Sequence, residues 1–176
     1  MYLSLLALIL RLHVPLDAPK TDELQRLSFI AYAIAKETEA NPGALPPKVL
    51  AAATLSLFWG ESRLARGVHA GERTRWGSDL GRAKCLGQLH DTGVLEPGEW
   101  ESLAGTDLES TRRCARATIR VLQRFARWCR YDGTDESLAR VYGAYGTGAG
   151  CKTTVQARRR VKILRRFERA LQRGQL

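Results

Sequence analysis

The sequence predicts a mainly α-helical single domain, interrupted once by a small irregular or β-containing segment, and three observations carry that prediction. Apolar residues recur at helical spacing in several stretches, with proline- and glycine-bearing turns between them. Between Ala65 and Leu89 the periodicity lapses into glycine, arginine and short polar residues. At 176 residues, 44% of them hydrophobic, the chain can build one real core without metals or dense crosslinks.

The elements follow in chain order. The opening run "MYLSLLALILRLHVPL" reads either as a docking helix or as a signal-like start over residues 1–12, with no basic leader and no small-residue cleavage site. It is too short to span a bilayer. A capped helix follows, with Thr21 and Asp22 at its start, Leu24, Leu27, Ile30, Ala31 and Ile34 as its stripe, and Asn41-Pro42-Gly43 as its stop. Residues 1–45 thus read as N-terminal helices packed on a domain of residues 46–176. Pro46 and Pro47 open the next helix, where a missing N–H costs nothing. After the irregular segment, a long helix from about Ser110 carries Ala115, Ile119, Leu122, Ala126 and Cys129 on one face. Arg112, Arg116, Arg120, Arg124 and Arg127 form a second row, read as a solvated face. "DGTDESLARVYGAYGTGAG" supplies a turn, a short helix and a glycine-rich exit. A closing amphipathic helix turns Ile163, Leu164, Phe167 and Leu171 inward.

One residue breaks this pattern. In "PPKVLAAATLSLFWGES", Val49, Ala53 and Leu57 recur every four residues, and the next position on that inward face is Glu61. A carboxylate half-buried against Leu57, Phe58 and Trp59 resists ionisation and suits proton donation near neutral pH. The competing reading is a helix end at which Glu61 has already turned to solvent beside Arg63 and Arg66.

The net charge of +10 is uneven: from Lys152 onward nine Lys/Arg face one Glu. Such a closing helix suits an anionic polymer, whether nucleic acid, acidic membrane or bacterial wall. Cys85, Cys114, Cys129 and Cys151 are too widely spaced for a zinc knuckle, and no metal or other cofactor is expected. Within one helix Cys114 and Cys129 would stand about 22 Å apart and cannot pair. If the chain works outside the cytoplasm, Cys85–Cys114 and Cys129–Cys151 are the favoured bridges, with Cys85–Cys129 still open. Buried free thiols are the alternative in a reducing compartment.

Three pieces occur in a fixed order: Glu61-Ser62 at a helix end, "CLGQL" at 85–89 and "ARVYGAYGTG" at 139–148. Together they resemble the catalytic core of the soluble lytic transglycosylase and goose-type lysozyme superfamily, over roughly residues 46–171. Members carry a Glu-Ser pair, a Gly-Leu-Met-Gln segment and an Ala-Tyr-Asn-Ala-Gly turn. Glu61-Ser62 matches the first, Gln88-Leu89 the second, and Val141-Tyr142-Gly143-Ala144 the third. Three positions depart: Cys85 replaces glycine, Gly87 replaces methionine and Gly143 replaces asparagine.

The resemblance implies a lysozyme-like domain that cleaves the β-1,4 bond between N-acetylmuramic acid and N-acetylglucosamine, as a lytic transglycosylase or a muramidase. Glu61 would act first as acid and then as base. The substrate's 2-acetamido oxygen can stand in for the usual second carboxylate. If a second acid exists, Glu72 and Asp79 are the candidates, although loop acids beside Arg73, Arg75 and Arg82 usually only solubilise. Ser62 and Gln88 are carried over as substrate-binding. Tyr142 and Tyr145 offer a flat face to a sugar ring and a hydroxyl to its polar groups, and Trp76 is a cleft platform or a loop anchor. The implied partners are peptidoglycan strands and anionic wall polymers, and the implied place of action is the cell wall, extracytoplasmic, periplasmic or phage-delivered. Two other readings compete. One is an inactive wall-binding or virion structural protein that keeps the fold. The other is a nucleic-acid binder, which the closing helix supports poorly because Phe167 is its one aromatic residue.

Overall fold

The computed structural model describes residues 1–12, 21–72, 82–91, 95–147 and 150–173. In chain order these form α1 (Tyr2–Leu12), α2 (Thr21–Ala40), α3 (Pro47–Ser62), α4 (Arg66–His69), β1 (Ala83–Lys84), β2 (Leu89–His90), a 3-10 turn (Trp100–Leu103), α5 (Leu108–Trp128), α6 (Asp135–Thr147) and α7 (Val155–Arg173). The fold is mainly α with one small sheet, in which β1 and β2 pair antiparallel, Ala83 opposite His90 and Lys84 opposite Leu89. That sheet brackets Gln88 on both sides, and α4 is a short helix inside the segment where periodicity had lapsed.

Helix α3 is the hub. Residues 49–58 are buried without a break, the pattern of a helix enclosed on every side. α7, α2 and α5 pack around it, α1 lies on α2 and α7, and α6 bridges α5 and α7. In α1, Leu5 and Ile9 are wholly buried. The Tyr2 hydroxyl meets Ser28 Oγ of α2 at 2.8 Å.

In the arginine row on α5, Arg124 and Arg127 are exposed, as a solvated face requires, but Arg112, Arg116 and Arg120 are half-buried and paired with acids, which corrects the reading for those three. Glu37 of α2 is buried, and its carboxylate accepts Arg112 Nε at 2.9 Å and Arg116 Nε at 2.8 Å. Arg120 pairs with Glu99 beside the 3-10 turn. Burial alone would raise the Glu37 pKa, but the two guanidiniums outweigh it and hold the carboxyl below its ordinary value. Periodicity shows which residues share a face but not that a glutamate on another helix stands opposite. Gln123, also on α5, holds the turn between α2 and α3 by accepting Leu45 N–H at 2.9 Å and donating to Asn41 O at 3.3 Å.

Both cysteine pairs are disulfides: Cys85–Cys114, with Cα atoms 6.0 Å apart, and Cys129–Cys151, at 5.2 Å. Each joins α5 to a connecting segment, the first to the β1–β2 turn and the second to the link between α6 and α7. No described helix is long and apolar enough to cross a membrane.

Candidate active site

Glu61 lies in the last turn of α3, and its surroundings begin with how that helix stops. Arg63 (φ 53°) and Leu64 (φ 56°) both take left-handed backbone, which side-chain-bearing residues seldom adopt. Ser62 holds this turn. Its buried hydroxyl donates to Phe58 O at 2.6 Å and accepts Leu64 N–H at 3.1 Å, so in this arrangement both directions of its hydrogen bonding serve the backbone.

Beneath the turn lies a buried polar chain. Arg26 of α2 donates to Leu64 O at 2.7 Å, pairs with Glu23, and meets His69 Nδ1 at 3.2 Å. On the far side His69 Nε2 meets Thr111 Oγ1 at 3.0 Å. The Thr111 hydroxyl donates to Asp107 O at 2.6 Å, so it accepts from Nε2, and the bare Nδ1 accepts from Arg26. Burial, with the Arg26 charge second, pushes the His69 pKa down to about 3. A neutral imidazole thus ties α4 to α2 and α5, directly under the Glu61 turn.

The Glu61 carboxylate is not left alone among apolar side chains. Oε1 is ion-paired with Arg160 Nη2 of α7, the two side chains being 15% and 11% exposed. Arg160 Nη1 is buried with no hydrogen-bond partner among the described residues. Sequence reasoning passed over Arg160, yet a signal existed: counting back from Leu171 through Phe167 and Leu164 in steps of four, three and four reaches it. A cation interrupts the α7 stripe just as Glu61 interrupts the α3 stripe, and the two meet.

Tyr145 stands beside this pair. Its hydroxyl donates to Gly87 O at 2.8 Å. Burial, and next the negative charge of Glu61, raise its pKa, so it keeps its proton. A Cβ at Gly87 would lie 2.5 Å from Thr118 Oγ1 and 3.1 Å from Tyr145 Oη. A side chain at position 87 is therefore excluded sterically. Gln88 (φ 49°) is half-buried, and its Nε2 donates to Cys85 O at 3.0 Å, within its own turn.

The other candidates are placed differently. Tyr142 is 2% exposed. Ser56 Oγ donates to Ala53 O at 2.9 Å and so accepts the Tyr142 hydroxyl at 2.5 Å, which makes this tyrosine a brace between α6 and α3 with no face open to a sugar. At Gly143 a Cβ would lie 1.9 Å from Lys152 O, so asparagine could not replace it without moving the chain that the Cys129–Cys151 bridge ties down. Glu72 is exposed, just past α4. Trp76 and Asp79 lie outside the described residues. Among the described residues no cluster of three His, Cys, Asp or Glu could hold a metal ion.

Glu61, Tyr145, Gly87 and Arg160 thus come together from α3, α6, the β1–β2 turn and α7. Such a group can hold or move a proton at a carboxylate flanked by a phenol and a guanidinium. Comparison of the chain with family models, with curated proteins and with solved structures returns no match.

Proposed function

We propose that this protein is a peptidoglycan-degrading glycosidase that cleaves the β-1,4 bond between N-acetylmuramic acid and N-acetylglucosamine, with Glu61 as its single acid and base. The supporting observation is the half-buried Glu61 carboxylate at the end of a largely apolar helix, paired with Arg160 and with Tyr145, whose hydroxyl holds the Gly87 carbonyl, beside it. Cleavage needs a proton at the leaving oxygen and stabilisation of an oxocarbenium-like transition state, which a 2-acetamido sugar can supply itself. Glu61 gives its proton to the leaving oxygen and then takes one, either from the muramoyl 6-hydroxyl or from water. The first route yields a 1,6-anhydro end and the second a reducing end. The resemblance to lytic transglycosylases and goose-type lysozymes points the same way, as does a closing helix whose Arg159, Arg166 and Arg169 are exposed toward an anionic wall. Mass spectrometry of products from purified glycan strands tests the reading and separates the two routes. Strands left intact by folded, oxidised protein would turn the assignment to the competing one, a wall-binding or virion structural protein.

A further inference from the structure

A carboxylate and a guanidinium that neutralise each other are a stable resting arrangement and a poor proton donor. Glu61 must hold a proton to protonate a leaving oxygen, and Arg160 then loses its counter-ion in a place where both side chains are mostly buried. The buried Arg160 Nη1, without a described partner, is a second unmet demand, since such an N–H costs stability until an acceptor arrives. Gly146 of α6 lies over it: a Cβ there would sit 3.3 Å from Nη1, so the glycine leaves the guanidinium its room.

The groups around the carboxylate give few alternatives. Tyr145 from α6 keeps its proton and spends it on Gly87 O. From α5 the nearby Thr118 does not titrate. From α2, Arg26 is engaged by Glu23, Leu64 O and His69, and Arg63 on the α3 turn lies over the Trp59 ring, 4.8 Å from its centroid. Among the described residues, Arg160 is the cation paired with Glu61.

We propose that Arg160 is an exchangeable counter-ion, which anchors a carboxylate carried on the substrate sugar and by doing so frees Glu61 to take a proton. The inference rests on the glycosidase reading and narrows its substrate to glycan bearing an acidic ether substituent beside the scissile bond, as a free lactyl group on a muramoyl residue provides. The exchange balances: the sugar carboxylate takes the place of the Glu61 carboxylate on the guanidinium, and one proton passes from solvent to Glu61. No covalent bond changes. A planar guanidinium suits this role because it can hold two oxygen acceptors at once during the exchange.

The test is an NMR titration of the full, oxidised chain with N-acetylmuramic acid and, separately, with neutral N-acetylglucosamine, following the Glu61 side-chain carboxyl carbon and the Arg160 Nε–H. The muramic acid should bind at least tenfold more tightly, shift the Arg160 signal and move the Glu61 carbon to its protonated position at a pH where the sugar-free chain keeps it ionised. Arg160→Gln should lower that preference by about tenfold, the order expected of one charge-assisted hydrogen bond, and Arg160→Lys should keep part of it. Equal binding of the two sugars, binding of neither, a bound muramic acid that leaves Glu61 ionised, or an Arg160→Gln variant with the preference intact would each overturn the proposal. The spectra of each variant report whether it is folded. Cleavage of glycan strands is scored separately: a chain that binds as described but cuts nothing defeats the glycosidase reading alone, and one that cuts without the preference defeats only the role of Arg160.

Discussion

At the residue scale, Ser62 and His69 support the turn that carries Glu61, and each predicts a measurable cost. Ser62→Ala leaves the buried Leu64 N–H without its acceptor in a left-handed turn, so unfolding free energy should fall by about 1–3 kcal/mol, read from denaturant curves. An unchanged midpoint would mean the turn is held otherwise. His69 makes stability depend on pH with a definite sign. Its folded pKa is near 3 and its ordinary value is 6.5, so between these limits the unfolded chain binds a proton that the folded chain does not. Stability should therefore drop as pH falls through that window, by up to about 1.4 kcal/mol per unit. His69→Gln should flatten the slope between pH 6.5 and 4.5, above the range where protonation of Glu37 adds its own loss. A variant with the same slope as the parent would remove His69 as the cause.

At the element scale, two bridges and one helix carry the argument. The 85–114 and 129–151 bridges clamp the Gln88 turn to the second turn of α5 and the α6–α7 link to the residue that caps its C-terminus. Replacing one pair by serines should cost about 2–4 kcal/mol, and alkylation of protein purified under oxidising conditions should find no thiols. Four reactive thiols would refute the bridged structure. In α7 the arginines divide by partner: Arg165 bonds Asp135 at 2.7 Å and Glu168 at 2.7 Å, Arg158 meets Glu136 at 3.4 Å, and Arg159, Arg166 and Arg169 are exposed. Replacing those three exposed arginines with Gln should preserve melting behaviour and reduce lysis of whole anionic cells more than cleavage of short soluble glycan fragments that carry the muramoyl lactyl group. Adding Arg165→Gln should lower stability as well. Equal loss on both substrates by a folded triple variant would place these arginines in the cleft.

Across the whole molecule, what could be read from the sequence follows from which interactions are local. Proline starts, glycine stops and apolar spacing are properties of neighbouring residues, so the helices from Thr21, Pro47, Leu108, Asp135 and Val155 and the irregular stretch around Gln88 were legible. The exclusion of a Cys114–Cys129 pair was legible too, because helical rise alone decides it. Long-range polar pairing was not. Nothing near Arg112 announces Glu37, and nothing near Tyr142 announces that Ser56 lies 2.5 Å away in the core. Glu61 and Arg160 lie between those cases: each stripe exposes its own anomaly, but only the packing of α7 on α3 joins them. The turn held by Ser62, the buried His69 chain beneath it and this pairing all bear on a single carboxylate. The measurement that tests this most directly is product release from purified glycan strands by wild type and Glu61→Gln, with melting curves recorded for both. The amide keeps the shape and has no carboxyl proton to give, so release should fall by about 10²–10⁴ while the variant stays folded. A folded Glu61→Gln protein that cuts as fast as wild type would contradict the account.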